Sequence, residues 1–206
     1  MNDQIRNLVT MNQLNAEIGN WNVRDECRGL SVEEIRTNHQ PKLGYAVALM
    51  NVDGGLNIGS IIRTSVIFGA DVVYIVGKRR FDRRSTVGSH NYIRMEFIDD
   101  DVNKFHETVT NDGYNPICIE QGGQSIYDPS IFIVNGMTQE SKYNEFQYLN
   151  RPCIMFGSEK EGISQSYLDR YPSYSIPQLG CMRSLNVASA AAIVIAEYVR
   201  YFLVRS

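Results

Sequence analysis

Tyr45-Ala46-Val47-Ala48-Leu49-Met50 and its counterpart Val72-Val73-Tyr74-Ile75-Val76 decide the fold. Each is a short apolar run without polar alternation, the pattern of a strand covered on both faces. Between them lie a glycine-bearing loop, residues 51–57, and a stretch that reads as a helix, residues 58–68. Strand, helix, strand in so short a span is a crossover unit, and crossover units build parallel sheets.

The same grammar continues outward. Ile93-Arg94-Met95-Glu96-Phe97 reads as a short strand. Asp99-Asp100-Asp101 opens a helix through about residue 109, because acidic side chains suit a helix N-terminus. Residues 115–119 make a third buried strand, followed by a Gly122-Gly123 loop, and Ile131-Phe132-Ile133-Val134 fits either a strand or a helical turn. Cys153-Ile154-Met155-Phe156 is a strand leading into Gly157-Ser158-Glu159-Lys160-Glu161-Gly162. A short helix over 164–169 and a strand at Ser175-Ile176 follow. The final helix, 184–203, keeps a 3.6-residue period at Val187, Ala191, Ile195, Tyr198 and Phe202. The expectation is an α/β domain over residues 43–206, a mostly parallel sheet flanked by helices. Residues 1–42 read as a helical N-terminal extension. Ile5, Leu8, Val9, Met11, Leu14 and Ile18 have loosely helical spacing, and Ser31-Val32-Glu33-Glu34 is a capping box whose helix stops before Pro41.

Composition narrows the function. The 206 residues carry a formal charge of −3, so a nucleic-acid partner has to be met by local clusters rather than by the sum. No apolar run reaches the ~18 residues that suggest a membrane span. Met1-Asn2-Asp3-Gln4-Ile5-Arg6 is unlike a signal peptide, and a cytoplasmic protein with no membrane partner is expected. Cys27, Cys118, Cys153 and Cys181 form no C-x-x-C pair and read as buried thiols of a reducing compartment. His39, His90 and His106 share no metal-ligand spacing, so no metal is expected.

In open parallel sheets, ligands bind beyond the carboxyl ends of the strands. Three loops of unusual polarity leave strands here: residues 51–64, residues 157–162, and Ile176-Pro177-Gln178-Leu179-Gly180-Cys181-Met182-Arg183-Ser184-Leu185-Asn186 with the small residues after it. None is a dinucleotide fingerprint or a P-loop. In the last, Ser184 reads as a helix N-cap, with first-turn N–H groups available to an anion. Lys78-Arg79-Arg80-Phe81-Asp82-Arg83-Arg84 places five cations within seven residues. That suits RNA phosphates, with Phe81 available for stacking; a solvated basic loop is the alternative.

Taken together, the three loops resemble the SpoU (TrmH) family of SPOUT RNA methyltransferases. Asn57-x-Gly59-x-x-x-Arg63-Thr64 with Phe68-Gly69 is similar to the first family motif. Phe156-Gly157-Ser158-Glu159-x-Glu161-Gly162-Ile163-Ser164 is similar to the second, and Ile176-Pro177 with Ser184-Leu185-Asn186-Val187 to the third. Arg84-Ser85-Thr86-Val87-Gly88-Ser89 is similar to a substrate-side stretch. The resemblance runs in order from about residue 45 to 202. It implies a deep trefoil knot at the C-terminal end, S-adenosylmethionine held by the knot loops, a homodimer, and methyl transfer to a ribose 2′-OH of tRNA or rRNA.

Residue by residue, the resemblance implies that Arg63 touches the 2′-OH and its phosphate. A guanidinium is always charged, so positioning and charge stabilisation suit it better than general-base work. Asn57 orients Arg63 or holds the loop, its plainer use being a turn-forming Asn. Glu159 fixes the second loop or Arg63, or is simply an acid at the start of the next helix. Ser184 joins a cap to a phosphate contact, and Asn186 reaches cofactor, substrate or partner subunit. Gly157 and Gly162 allow close approach to adenine. Ile176, Leu185 and the backbone near Gln178 close the cofactor pocket, with Glu120 at the cofactor ribose. Lys78, Arg79, Arg80, Arg83, Arg84 and Arg183 face RNA. His90, near the substrate-side stretch, reads as a surface histidine, with an RNA contact the alternative. Lys160 stands where relatives more often carry Gly. The extension is too short for the separate RNA-binding domain of rRNA-directed relatives, which favours tRNA. An rRNA 2′-O-methyltransferase, a base methyltransferase and a catalytically silent RNA-binding or dimerisation module are the alternatives.

Overall fold

The computed structural model describes residues 23–77, 81–128 and 151–205. The apolar spacing of residues 5–18, the cations Lys78, Arg79 and Arg80, residues 131–134 and the Phe202 side chain lie outside this description. The chain divides into two units, Met1–Pro41 and Lys42–Ser206. In the first, Ser31 starts a helical turn, Val32–Glu34, through the capping box its sequence announces. Ser31 Oγ accepts from Glu34 N at 3.2 Å and Glu34 Oε2 accepts from Ser31 N at 2.8 Å. The turn widens into a π-helical turn, Ile35–His39, and stops at Gln40, one residue before Pro41.

The second unit holds β1 (Ala46–Met50), α1 (Gly55–Ile67), β2 (Val72–Val76), β3 (Arg94–Ile98), α2 (Val102–Asn111), β4 (Asn115–Ser125), β5 (Pro152–Phe156), α3 (Gln165–Leu168), β6 (Ser173–Ser175) and α4 (Val187–Arg205). The strands form one sheet in the order β3-β2-β1-β5-β4-β6, and every pairing is parallel. All five residues of β1, β2 and β5 are buried. Side chains alternate between two layers, as the two-residue strand period requires. Val47, Leu49, Val73, Ile75, Ile154 and Phe156 join the layer under α1 and α4, with Ile61, Ile62 and Ile195. Ala46, Ala48, Val72, Tyr74, Cys153 and Met155 join the layer under α2 and α3, with Phe105, Val109 and Tyr167. Burying one such aliphatic side chain contributes roughly 1.5–3 kcal/mol. At the β3 edge, Arg94 and Glu96 pair at 2.8 Å, and a charged edge discourages further strand addition.

Several boundaries differ from the sequence expectation, among them the last strand, which spans Ser173–Ser175 rather than Ser175-Ile176. The first helix starts at Gly55, so Asn57 lies inside its first turn rather than in the preceding loop. The third buried strand continues to Ser125, because a register shift between Ile119 and Gln124 lets it pair again with β6. Gly122-Gly123 is therefore the irregular middle of a strand; a Cβ on Gly123 would lie 2.6 Å from the Ser173 carbonyl carbon. The last helix begins at Val187, not Ser184. Phe81 is partly buried and packs against the core. Cys27, Cys118 and Cys153 are buried free thiols, whereas Cys181 is exposed.

Candidate active site

Beyond the carboxyl ends of the neighbouring strands β5, β4 and β6 opens a cleft of about 540 Å³. Its apolar walls are Ile119, Phe156, Ile176, Leu185 and Val187, and Glu120, Glu159 and Arg183 bring charge to it. Glu120, Gly157, Gly162, Ile176, Gln178 and Leu185 all line it.

Residues 158–162 fold back as a tight turn: Ser158 N donates to Gly162 O at 3.2 Å and Gly162 N to Ser158 O at 2.9 Å. The space saved by the two glycines is filled by protein. A Cβ on Gly157 would sit 2.2 Å from the Gly162 carbonyl carbon, and one on Gly162 (φ +68°) 2.4 Å from Glu120 Oε2. Glu120 in turn holds the end of the turn, accepting from Ile163 N at 3.0 Å through Oε2, and is itself fixed by accepting from the neighbouring Gln121 N at 2.9 Å through Oε1. Beneath it, burial and then the Glu120 charge push the Cys118 thiol up to about 12, which leaves it an inert thiol. Gln121, which no sequence motif singles out, ties the opposite rim: its Nε2 donates to the Arg183 carbonyl at 2.6 Å.

Beside the cleft, which Glu159 lines, three side chains from distant parts of the chain meet. Asn186 Nδ2 donates to Asn57 Oδ1 at 3.0 Å, and Asn57 Nδ2 donates to Glu159 Oε1. Asn186 is also the cap of α4, since its Oδ1 accepts from Ala188 N at 2.9 Å and Ser189 N at 3.3 Å. The cap expected at Ser184 therefore belongs to Asn186, and two of the amides expected to meet an anion are already satisfied. Ser184 is exposed on the cleft rim. The small residues after it divide their roles: Ala190 lines the cleft, Ala191 is fully buried, Ser189 faces solvent.

Arg63 is exposed on α1 and makes no hydrogen bond or ion pair among the described residues. It continues a stripe formed by Gly55 and Gly59, four residues apart on one helix face. Against that stripe lies the 3₁₀ turn Arg83–Thr86. A Cβ on Gly59 would fall 2.1 Å from Ser85 Oγ, and one on Gly55 would lie 3.3 Å from Asp82 N. Asp82 caps the turn from Arg84 N at 3.0 Å and pairs with the Arg84 guanidinium at 2.9 Å. That pairing holds its carboxyl below the usual carboxylate range. Arg83 and Arg84 are exposed, and neither these residues nor Arg63 lines the cleft.

The arrangement offers apolar walls for a flat ring, a carboxylate for hydroxyl or amine donors, and an arginine-bearing surface near the cleft mouth. No helix of the described residues is long and apolar enough to cross a membrane, and no cluster of three or more metal-ligating side chains occurs among them.

The sequence pattern of the SpoU rRNA Methylase family matches residues 44–196. Among curated proteins, a tRNA (guanosine(18)-2′-O)-methyltransferase of Thermus thermophilus is 28% identical over 180 residues, 84% of this chain and 82% of that protein. The enzyme of the same description from Escherichia coli K12 is 26% identical over 168 residues, 80% of this chain and 66% of its own length. Among solved structures, the A. aeolicus TrmH/SpoU tRNA modifying enzyme superposes with a TM-score of 0.65 at 22% identity, covering 84% of this chain and 83% of that one. The SpoU methyltransferase AviRb of Streptomyces viridochromogenes, in complex with AdoMet, gives 0.61 at 22% identity over 77% of this chain and 57% of its own.

Proposed function

Because the chain belongs to the SpoU rRNA Methylase family, we propose that it is an S-adenosylmethionine-dependent RNA methyltransferase acting on a ribose 2′-OH, with tRNA as its substrate. The observation that carries this reading is the Asn186–Asn57–Glu159 chain, which joins the three loops at one cleft. The tRNA 2′-O-methyltransferases matched over most of this chain support the substrate, and the AdoMet-bound neighbour supports the cofactor.

The cleft fits such a cofactor: its volume of about 540 Å³ suits a nucleoside-sized ligand, and its walls suit a ring on one side and hydroxyl donors on the other. Glu120, Gly157, Gly162, Ile176, Gln178 and Leu185 would hold it. When bound, S-adenosylmethionine supplies an activated methyl group. A 2′-OH is a weak nucleophile at neutral pH and has to be aligned and relieved of its proton. Arg63 positions that hydroxyl and stabilises its developing negative charge, and a substrate phosphate or water takes the proton. Asn57 has its amide oriented by Asn186 on one side and Glu159 on the other. It thereby fixes the start of α1, the helix that carries Arg63. Ser184 on the rim meets a substrate phosphate. Arg83, Arg84 and Arg183, with Lys78, Arg79 and Arg80, hold the RNA backbone.

The deep C-terminal trefoil knot and the homodimer belong to the same proposal. Support for the knot is the placement of β5 and β6 on opposite sides of β4, with the loops after both meeting at the cleft. Exposed Leu179, Met182 and Leu185 support a second subunit over this segment. Residues 1–42 act as an extension and 43–206 as the catalytic domain. Free buried Cys118 and Cys153 support residence in the cytoplasm.

The test is incubation with labelled S-adenosylmethionine and bulk tRNA or rRNA, followed by digestion and identification of the labelled nucleoside. A labelled 2′-O-methyl nucleoside from tRNA is expected. Label on a base, or on neither RNA, would overturn the reading.

A further inference from the structure

The turn that carries Arg83 and Arg84 holds a histidine in one defined state. Thr86, fully buried, donates its hydroxyl proton to the Arg83 carbonyl at 2.7 Å, and Ser89 Oγ donates to the Thr86 carbonyl at 2.8 Å. The Thr86 hydroxyl oxygen, Oγ1, lies 2.6 Å from His90 Nδ1. A hydroxyl has one proton, and Thr86 has spent it on Arg83. The contact to His90 therefore has the imidazole as donor, with its proton on Nδ1. In the neutral ring Nε2 is then a bare acceptor, and no described group bonds to it. Burial and the neighbouring Arg83 hold the ring below its ordinary pKa, so the neutral form prevails at pH 7.

This acceptor sits among donors. Arginine only donates and phosphate only accepts, so the two suit each other and neither reads sequence. The Asp82 carboxylate, which caps the turn, is occupied by the Arg84 amide and guanidinium. Nε2 has nothing to gain from a phosphate; its complement is an O–H or N–H of the nucleic acid. We propose that His90 is a specificity contact, its Nε2 accepting from a ribose hydroxyl or base N–H of the RNA whose phosphates Arg83 and Arg84 hold. This rests on the RNA-methyltransferase reading and adds to it a residue that senses more than charge.

The experiment compares full-length wild type with His90→Ala, His90→Gln and Thr86→Val at one fixed salt concentration. Three probes are used: a tRNA transcript, its DNA copy and inorganic polyphosphate. Calorimetric affinity for S-adenosylmethionine serves as the folding control. His90→Ala is expected to weaken tRNA binding about 5–10-fold without changing polyphosphate binding, the loss of one hydrogen bond. His90→Gln, which keeps an acceptor of similar reach, recovers most of it. Thr86→Val frees the tautomer and loses about 2–4-fold. A ribose donor predicts loss on tRNA only; a base donor predicts equal loss on the DNA copy. Unchanged tRNA binding by His90→Ala, or equal weakening on all three probes, overturns the role of His90 alone. A wild type that binds tRNA no better than polyphosphate and methylates nothing overturns the parent reading as well.

Discussion

Asn186 Nδ2 donates to Asn57 Oδ1 over 3.0 Å, joining residues 129 apart in the chain. The same Asn186 caps α4 through its Oδ1. Only an amide accepts and donates at once in this way: a serine hydroxyl is too short for both tasks, and an aspartate caps well but has no proton to give.

Asn186→Asp and Asn186→Ala therefore separate two roles. The aspartate keeps the cap, so its thermal midpoint stays close to wild type, whereas the alanine loses about 1 kcal/mol. Both variants remove the donor to Asn57. With aspartate, the single Asn57 amide faces two carboxylates, the introduced one and that of Glu159, and satisfies only one of them. Methyl transfer falls roughly 10–100-fold in both, as expected for loss of a hydrogen bond coupled to a charged group. Equal activity in wild type and Asn186→Asp, measured with labelled cofactor, would remove this link from the mechanism.

These particulars show how far the sequence reaches. The runs that became β1, β2 and β5 were legible because burial on both faces leaves an unbroken apolar pattern. The three polar loops were legible as the ends of strands. The cap was not: Ser184 and Asn186 are both good caps locally, and the choice falls to Asn186 because Asn57 waits for its amide. The early start of α1 was hidden because Gly54 at its N-cap makes no side-chain cap bond. Gln121 was hidden because its partner is the Arg183 backbone, which leaves no mark on residue type.

Glu120 holds the end of the 157–162 turn through the Ile163 amide, while its other oxygen accepts from the neighbouring Gln121 amide, so Glu120→Gln turns an NH₂ toward one of two N–H donors and loses that bond. The Ile163 amide should exchange with solvent faster in this variant, and cofactor affinity should fall about 10-fold. Unchanged Ile163 protection, followed by hydrogen exchange, would show that the turn holds itself.

Arg63 is bonded to nothing among the described residues, so Arg63→Ala has little structure to lose. Its unfolding midpoint should match wild type and its cofactor affinity should stay within about threefold, while methyl transfer drops by ~10² or more. Loss of cofactor binding by calorimetry would show that Arg63 serves the cleft itself.

Gly59 lets the Arg83–Thr86 turn lie on α1, where a methyl group would meet Ser85 Oγ at 2.1 Å. The obstacle includes the Ser85 backbone carbonyl carbon at 2.4 Å, so a rotamer change is no escape. Gly59→Ala should cost roughly 1–3 kcal/mol, the range for overpacking. It should also weaken tRNA binding by displacing Arg83 and Arg84. Denaturant midpoints and a binding titration check the two halves separately.

Asp112 gives a pH signature on the far side of the sheet. Its carboxylate accepts from the buried Tyr74 hydroxyl and from the Arg94 guanidinium. Burial raises its pKa, but the bonds from Tyr74 and Arg94 outweigh burial and leave it below the usual value. A carboxyl lowered on folding binds fewer protons folded than unfolded. Its contribution is therefore complete above the unfolded value of about 3.9 and is lost as pH falls through the folded one. Asp112→Asn should cost about 1–3 kcal/mol at pH 7, because Tyr74 and Arg94 lose a charged acceptor. Below pH 4 the wild-type curve should drop toward that of the variant. Denaturant unfolding from pH 7 to pH 2.5 reads this directly. A gap between the two proteins that stays constant over the whole range would mean that Asp112 contributes by shape alone, and that the acid sensitivity of the domain lies in another carboxylate.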